Sequence, residues 1–140
     1  MNGKFFLDTN IFVYSFDQNA VAKARRATQL IGDGVATGKG IISYQVVQEF
    51  FNIALKRFHQ PMTPTEAEQY LSVIFRPMLA VHSSPALFSQ ALHLLNKHRL
   101  AWYDSLIVAA AVEAQCGILF SEDLNHGQKF GTLQIQNPFI

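Results

Sequence analysis

The 140-residue sequence is 49% hydrophobic and 15% charged. This is enough apolar surface to fill one core and too little charge for a disordered chain. A formal net charge of +1 excludes a nucleic-acid binder that relies on a global excess of Lys and Arg. Any positive surface must be local, at Lys23, Arg25 and Arg26, at Lys56 and Arg57, or at Lys97, His98 and Arg99. The single cysteine, Cys116, rules out an internal disulfide and fits the reducing cytoplasm.

The opening MNGKFFLDTN is not a signal peptide, because Asp8 breaks its apolar run before a hydrophobic region of sufficient length forms. The apolar run LIVAAAV at 106–112 is far short of the roughly 18–20 residues of a membrane span. The expectation is a soluble protein, one domain over 1–140, with no membrane association.

KFFL at 4–7 reads as a short buried strand that stops at Asp8. Residues 20–32 read as a helix ended by Gly32 and Gly34, and GIIS at 40–43 as a second strand. From Gln45 to Phe58 the pattern turns helical. Val47, Phe50, Phe51, Ala54, Leu55 and Phe58 form an apolar stripe, and Gln45, Glu49, Asn52 and Lys56 a polar one beside it. Thr63 and Glu66 have capping-box spacing and start a helix to about Phe75. MLAV at 78–81 is a third strand. Ser84 followed by Pro85 marks the start of a helix that runs to about Arg99. Asp104 or Ser105 starts a helix that is apolar nearly all round and ends at Gly117. ILFS at 118–121 and LQIQ at 133–136 complete the strands. Strands alternating with helices predict an α/β fold with a mainly parallel sheet.

In such a sheet, functional groups gather beyond the carboxyl ends of the strands. Asp8 ends the first strand, Asp123 follows ILFS by two residues, and Asp104 sits where the buried helix begins. Glu49 lies on the polar stripe of the helix after the second strand. Each Asp on its own is equally a helix cap, and Glu49 on its own a solvated surface acid. Their joint placement points to a shared cleft. Two carboxylates ~4 Å apart repel by on the order of 4 kcal/mol at an effective dielectric near 20, so a proton or a cation must relieve them. Oxygen donors with open water positions suit Mg²⁺ or Mn²⁺. Such an ion activates water for hydrolysis without a Ser, Cys or His nucleophile.

Four ordered blocks, FFLDTNIFVYSFD, ISYQVVQEFFNIALKR, AWYDSLIVAAAVEAQCGILFSEDLNHGQKF and LQIQNPF, resemble the PIN domain. More narrowly they resemble the VapC-type toxins of bacterial toxin–antitoxin pairs, over Phe5 to Phe139. The resemblance implies a three-layer PIN-like fold with helices on both faces of the sheet. It also implies an Mg²⁺- or Mn²⁺-dependent endoribonuclease that leaves 5′-phosphate and 3′-hydroxyl ends. By motif position Asp8, Glu49, Asp104 and Asp123 match the family's acidic quartet, with Asp8, Asp104 and Asp123 as metal ligands. Asn10 and Ser121 match positions that support the site by hydrogen bonds. Glu122 adjoins Asp123 and competes for its role; the register set by Ser121 favours Asp123. The resemblance further implies an RNA substrate, a homodimer, and a small cognate antitoxin whose C-terminal segment enters the acidic groove with an Arg.

The remaining features are weaker. None of His59, His82, His93, His98 and His126 has close metal-ligand spacing, and His126 alone adjoins the proposed site. Cys116 reads as a buried small hydrophobe. Trp102 and Tyr103 fit either base stacking or loop packing. The glycines at 32–40 form no phosphate loop, because no Gly-Lys-Ser/Thr follows. The twelve Phe residues suit a dense core, a dimer face or an antitoxin groove. A haloacid-dehalogenase-type phosphotransferase with Asp8 as nucleophile needs an acid two residues on, where Asn10 stands. A non-toxin PIN nuclease of RNA processing would carry the same acids. The full set of acids argues against a catalytically inactive PIN-like interaction domain.

Overall fold

The structure, a computed structural model, describes residues 3–140. Strand β1 (Phe5–Leu7) leads into α1 (Thr9–Tyr14) and α2 (Val21–Thr37), then β2 (Gly40–Ser43) and α3 (Tyr44–Ala54). Helix α4 (Pro64–Tyr70) continues through a π-helical stretch, Leu71–Phe75, into α5 (Arg76–Met78) and β3 (Leu79–Val81). Helices α6 (Pro85–His98) and α7 (Trp102–Glu113) precede β4 (Ile118–Phe120), β5 (Lys129–Phe130) and β6 (Leu133–Gln136). Among the described residues, no helix is long and apolar enough to cross a membrane.

The six strands make one sheet in the order β3-β2-β1-β4-β6-β5. All neighbouring pairs are parallel except β5–β6. The expected mainly parallel α/β fold is therefore present, and buried residues such as Phe6, Leu7, Ile41, Ile42, Leu119 and Phe120 explain its continuous apolar strands. The chain moves from β1 through β2 to β3 on one side, then crosses back to β4 on the other side of β1. The carboxyl ends of β1 and β4 are thus the topological switch point, where a crevice opens in folds of this type. With right-handed crossovers, the helices between β1 and β3 cover one face, and α6 and α7 the other. The close packing of α1 on α2 and α3, and of α6 on α7, matches that division.

Local chemistry accounts for most boundaries. Thr63 and Glu66 form a reciprocal capping box, with N–H to side-chain distances of 2.9 and 3.1 Å. The Ser84 hydroxyl accepts the Leu87 N–H at 3.0 Å, with Pro85 in the first turn. Other boundaries differ from those the sequence predicts. Helix α2 does not stop at Gly32 or Gly34; it runs to Thr37 and ends at Gly38, whose φ of 71° suits a left-handed cap. Gly34 instead permits close approach. A Cβ on it would lie 3.1 Å from both the Gly40 Cα and the Met78 Cε, so α2 lies directly on β2. Helix α3 ends at Ala54, four residues before Phe58, because the chain doubles back and Met62 N–H donates to the Ala54 carbonyl at 2.9 Å. LQIQ forms β6 as predicted, whereas α1 and the two-residue β5 carry no clear periodic signal, since each spans only a few residues.

Helix α7 is buried continuously from Ser105 to Ala111, as its all-round apolar pattern predicts. On the other face Phe12, Phe50 and Phe75 are fully buried, meeting edge-on at centroid distances of 5.1 Å for Phe12–Phe75 and 5.3 Å for Phe50–Phe75. These phenylalanines belong to the core. Cys116 is buried as well, and desolvation pushes its thiol up to about 12, which leaves it inert as a nucleophile.

Candidate active site

Asp8 follows β1 at the switch point and caps α1. It is 7% exposed. One carboxylate oxygen accepts the Thr9 N–H at 2.7 Å and the other accepts the Ser121 hydroxyl at 2.8 Å. Ser121, just past β4, is itself fully buried, so this bond ties the two strand ends that flank the crevice. The Ser121 oxygen also accepts the Asp123 N–H at 3.2 Å. The hydroxyl two residues before Asp123 thereby sets the direction in which Asp123 leaves the strand. Asn10, on the first turn of α1, donates to Asp123 Oδ2 at 2.8 Å.

Glu49 reaches the same cleft from α3. The Thr9 hydroxyl donates to its Oε1 at 2.6 Å, and the Gln45 amide to its Oε2 at 3.2 Å. The same Gln45 nitrogen donates to the Tyr103 carbonyl at 3.1 Å, which fastens α3 to the start of α7. Asp104 lies in the first turn of α7, three residues after the cap Ala101. The expectation that it caps that helix is therefore corrected: Trp102 and Tyr103 are already helical, and Asp104 faces the cleft.

Asp8, Asn10, Glu49, Asp104 and Asp123 line one cleft of about 260 Å³. Burial pushes Asp8 up to about 7; its hydrogen bonds from Ser121 and Thr9 oppose this, and the charges of Asp123 and Glu49 add to it. Burial also raises Asp104, again with Asp123 and Glu49 contributing. The four acids thus share one electrostatic field. Among the described residues, however, no three Asp, Glu, His or Cys side chains stand close enough to form a ready-made metal-ligand set. The partners that hold the acids apart are neutral: Thr9, Asn10, Gln45 and Ser121.

Glu122 is not brought into the cleft. Its carboxylate meets Lys23 Nζ at 2.5 Å, and hydrogen bonds from Lys23 and then Tyr14 hold it below the usual carboxylate range. The cation removes it from competition with Asp123. His126 is also occupied elsewhere, since its Nδ1 accepts the Asn137 N–H at 3.0 Å. Trp102 packs on Phe88 at 6.3 Å, whereas Tyr103 is 64% exposed and lines the cleft. Two residues of the cleft are not tied to the acids by the sequence, although Arg57 is among its candidates for local positive charge. Thr9 lies between the motif residues Asp8 and Asn10, and only the fold shows what its hydroxyl reaches. Arg57, and not Lys56, joins Gln45, Glu49 and Asn52 in the cleft wall, because α3 has ended before the polar stripe reaches Lys56.

A mainly parallel α/β domain with four carboxylates gathered at its switch point is the class that this fold and cleft define. The model of the PIN domain matches residues 5–129, and the chain belongs to the PIN-domain family. Among curated proteins no significant match to the sequence is found. Several solved structures share the fold. A toxin–antitoxin complex from Klebsiella pneumoniae superposes with a TM-score of 0.67 at 18% identity, covering 96% of this chain and 98% of that one. VapC20 from Mycobacterium tuberculosis, described as a sarcin–ricin-loop-cleaving toxin, gives 0.61 at 18% identity over 86% and 92%. FitAcB from Neisseria gonorrhoeae gives 0.63 at 16% identity over 96% and 98%.

Proposed function

We propose that this PIN domain is a divalent-metal-dependent endoribonuclease and the toxin of a toxin–antitoxin pair. The observation that carries the chemistry is the convergence of Asp8, Glu49, Asp104 and Asp123 on one cleft, with Asp8 pushed up to about 7. Burial chiefly, and the charges of Asp123 and Glu49 in addition, disfavour the ionised form of Asp8, and a cation in the cleft would relieve both. The donors are all oxygens, which suits Mg²⁺ or Mn²⁺. Asp8, Asp104 and Asp123 would hold the ion. Asp8 is fixed by two hydrogen bonds, while Asp104 is half-buried and Asp123 exposed, so the latter two can turn towards it. The bound ion supplies Lewis acidity and a counter-charge for the phosphodiester.

The chain's own residues do the rest. Asp8 would hold the ion as a carboxylate, oriented by the Thr9 N–H and the Ser121 hydroxyl. Glu49, oriented by Thr9 and Gln45, is placed to accept a proton from the attacking water. Asn10 and Ser121 keep Asp123 and Asp8 in register. In-line attack at phosphorus leaves a 5′-phosphate and a 3′-hydroxyl. The toxin role is supported by the shared fold with the Klebsiella toxin–antitoxin complex and VapC20, and it brings with it a homodimer and a small antitoxin whose C-terminal segment inserts an Arg into the acidic cleft. The expected location is the cytoplasm.

The test is purified protein with single-stranded RNA, with Mg²⁺, with Mn²⁺ and with EDTA. Metal-dependent internal cleavage, lost in Asp8→Asn, supports the proposal. Cleavage that persists in EDTA, or equal activity in Asp8→Asn, overturns it. Growth arrest on expression, relieved by a small protein encoded beside this chain, tests the toxin role separately.

A further inference from the structure

Beside the acidic cleft lies a second, larger hollow. The first has a volume of about 260 Å³ and the second about 650 Å³, and both are walled by Ile53 and Arg57. The two therefore adjoin, with Ile53 and Arg57 in the wall they share. The second volume falls within the roughly 300–1,000 Å³ span of sites that hold small ligands.

Among the described residues, Arg57 is the only Lys or Arg in either wall. Its backbone N–H donates to the Ile53 carbonyl at 2.7 Å, which anchors the turn that presents it. Among the described residues its guanidinium makes no ion pair. An unpaired guanidinium beside a carboxylate cleft marks a place for an anion, with geometry suited to phosphate. Beyond it Phe16 is 41% exposed, yet its ring is wedged against Phe58 at 5.3 Å, Tyr70 at 5.5 Å and Phe50 at 5.9 Å. The ring is held still with one part open to the hollow. Gln18, Asn19 and Gln60 add amides to the wall. The one carboxylate there, Asp17, is occupied by the Asn19 N–H at 2.9 Å.

We infer that this hollow binds the stretch of single-stranded RNA next to the scissile phosphodiester, with Arg57 on the flanking phosphate and Phe16 stacked on a base. The inference rests on the ribonuclease reading and adds where the strand runs. A positive charge followed by a rigid aromatic ring is the arrangement that holds single strands without reading their sequence. The positive charge of Arg57 favours the anionic strand over a protein segment that brings its own Arg.

The experiment uses full-length protein and a short fluorescent single-stranded oligoribonucleotide, in the Asp8→Asn background so that the strand stays intact. Arg57→Gln is expected to weaken binding about tenfold and to reduce the slope of log affinity against log salt by about 0.7, one phosphate contact on a single strand. Phe16→Leu, which keeps the apolar volume, is expected to weaken binding about tenfold with the salt slope unchanged, and Phe16→Tyr to restore it. In the otherwise wild-type enzyme both losses are expected to raise KM with kcat little changed. Unchanged RNA affinity in Arg57→Gln and Phe16→Leu overturns the inference and leaves the hollow to a protein segment. If wild type cuts no RNA while binding still depends on Arg57 and Phe16, the nuclease reading falls and this site stands.

Discussion

Glu122 and Asp123 are neighbours in the chain and end in opposite environments. Glu122 turns to the corner formed by α1, α2 and the C-terminal segment, where Lys23 meets it at 2.5 Å and lies 4.6 Å from the centre of the Tyr14 ring. Asp123 turns into the cleft, where Asn10 donates to it and three other acids share the space. The corner holds a carboxylate with a cation, so its acid is held ionised and its role is to tie elements together. The cleft holds carboxylates with neutral donors only, apart from Arg57 in its wall. Its most buried acid is pushed towards neutrality, and the site is left short of positive charge. The proposed function gives the two acids different parts on this ground: the one with a built-in counter-ion ties elements together, and those without one would take a counter-ion from outside.

The sharpest break of this contrast is Asp8→Asn. Cleavage is expected to fall by on the order of a thousandfold, at least as much as removing one strong transition-state donor. Yet the metal-free protein at pH 8 is expected to become more stable, because a neutral amide replaces a carboxylate that burial disfavours, which outweighs the one acceptor lost to Thr9 or Ser121. Denaturant titration in EDTA checks this. Loss of stability would mean that Asp8 is an ordinary cap.

Next is the pH dependence. Asp8 binds its proton more tightly folded, at about 7, than unfolded, at 3.8. The folded state therefore holds the extra proton, and metal-free stability is expected to decline as pH rises from about 4 to about 7, then level off. Glu122, held below its usual range, contributes in the opposite sense, losing stability as pH falls through its folded value. Saturating Mg²⁺ at pH 8 is expected to raise the melting temperature of wild type, and of Glu122→Gln, but not of Asp8→Asn; at ~100-fold excess over Kd the gain is about 2.7 kcal/mol. Melting curves with and without EDTA decide it.

Ser121→Ala tests whether the neutral donors matter. It removes a bond that lowers Asp8 and one that directs Asp123. Metal affinity, read by isothermal titration, is expected to drop roughly 10–100-fold. The smallest effect is expected at the corner: Glu122→Gln should leave kcat/KM unchanged and shift the melting temperature by no more than about 2 °C. A large loss of activity in Glu122→Gln would reverse the assignment of the two neighbouring acids.

How much of this is legible in the sequence varies with the range of the interaction. The strands, the Thr63–Glu66 and Ser84–Pro85 starts and the buried α7 are local patterns, and they read directly. The placing of Asp8, Asp104 and Asp123 at one sheet edge follows from strand parity and a general rule of parallel sheets. The end of α2 does not read directly, because Gly34 has the composition of a breaker while its missing side chain serves a contact with Gly40 across the turn.

The sequence by itself determined the α/β class and singled out the acids that the fold gathers in one cleft, because periodicity and motif spacing are properties of neighbouring residues. Only the tertiary structure gave Glu122 its cation, brought the Thr9 hydroxyl to Glu49, and put Arg57 rather than Lys56 in the wall shared by the cleft and the hollow. Those outcomes depend on which charge and which hydroxyl meet across 40, 99 or 113 positions of chain. Burial and charge pairing act through space, and the local pattern carries no record of that distance.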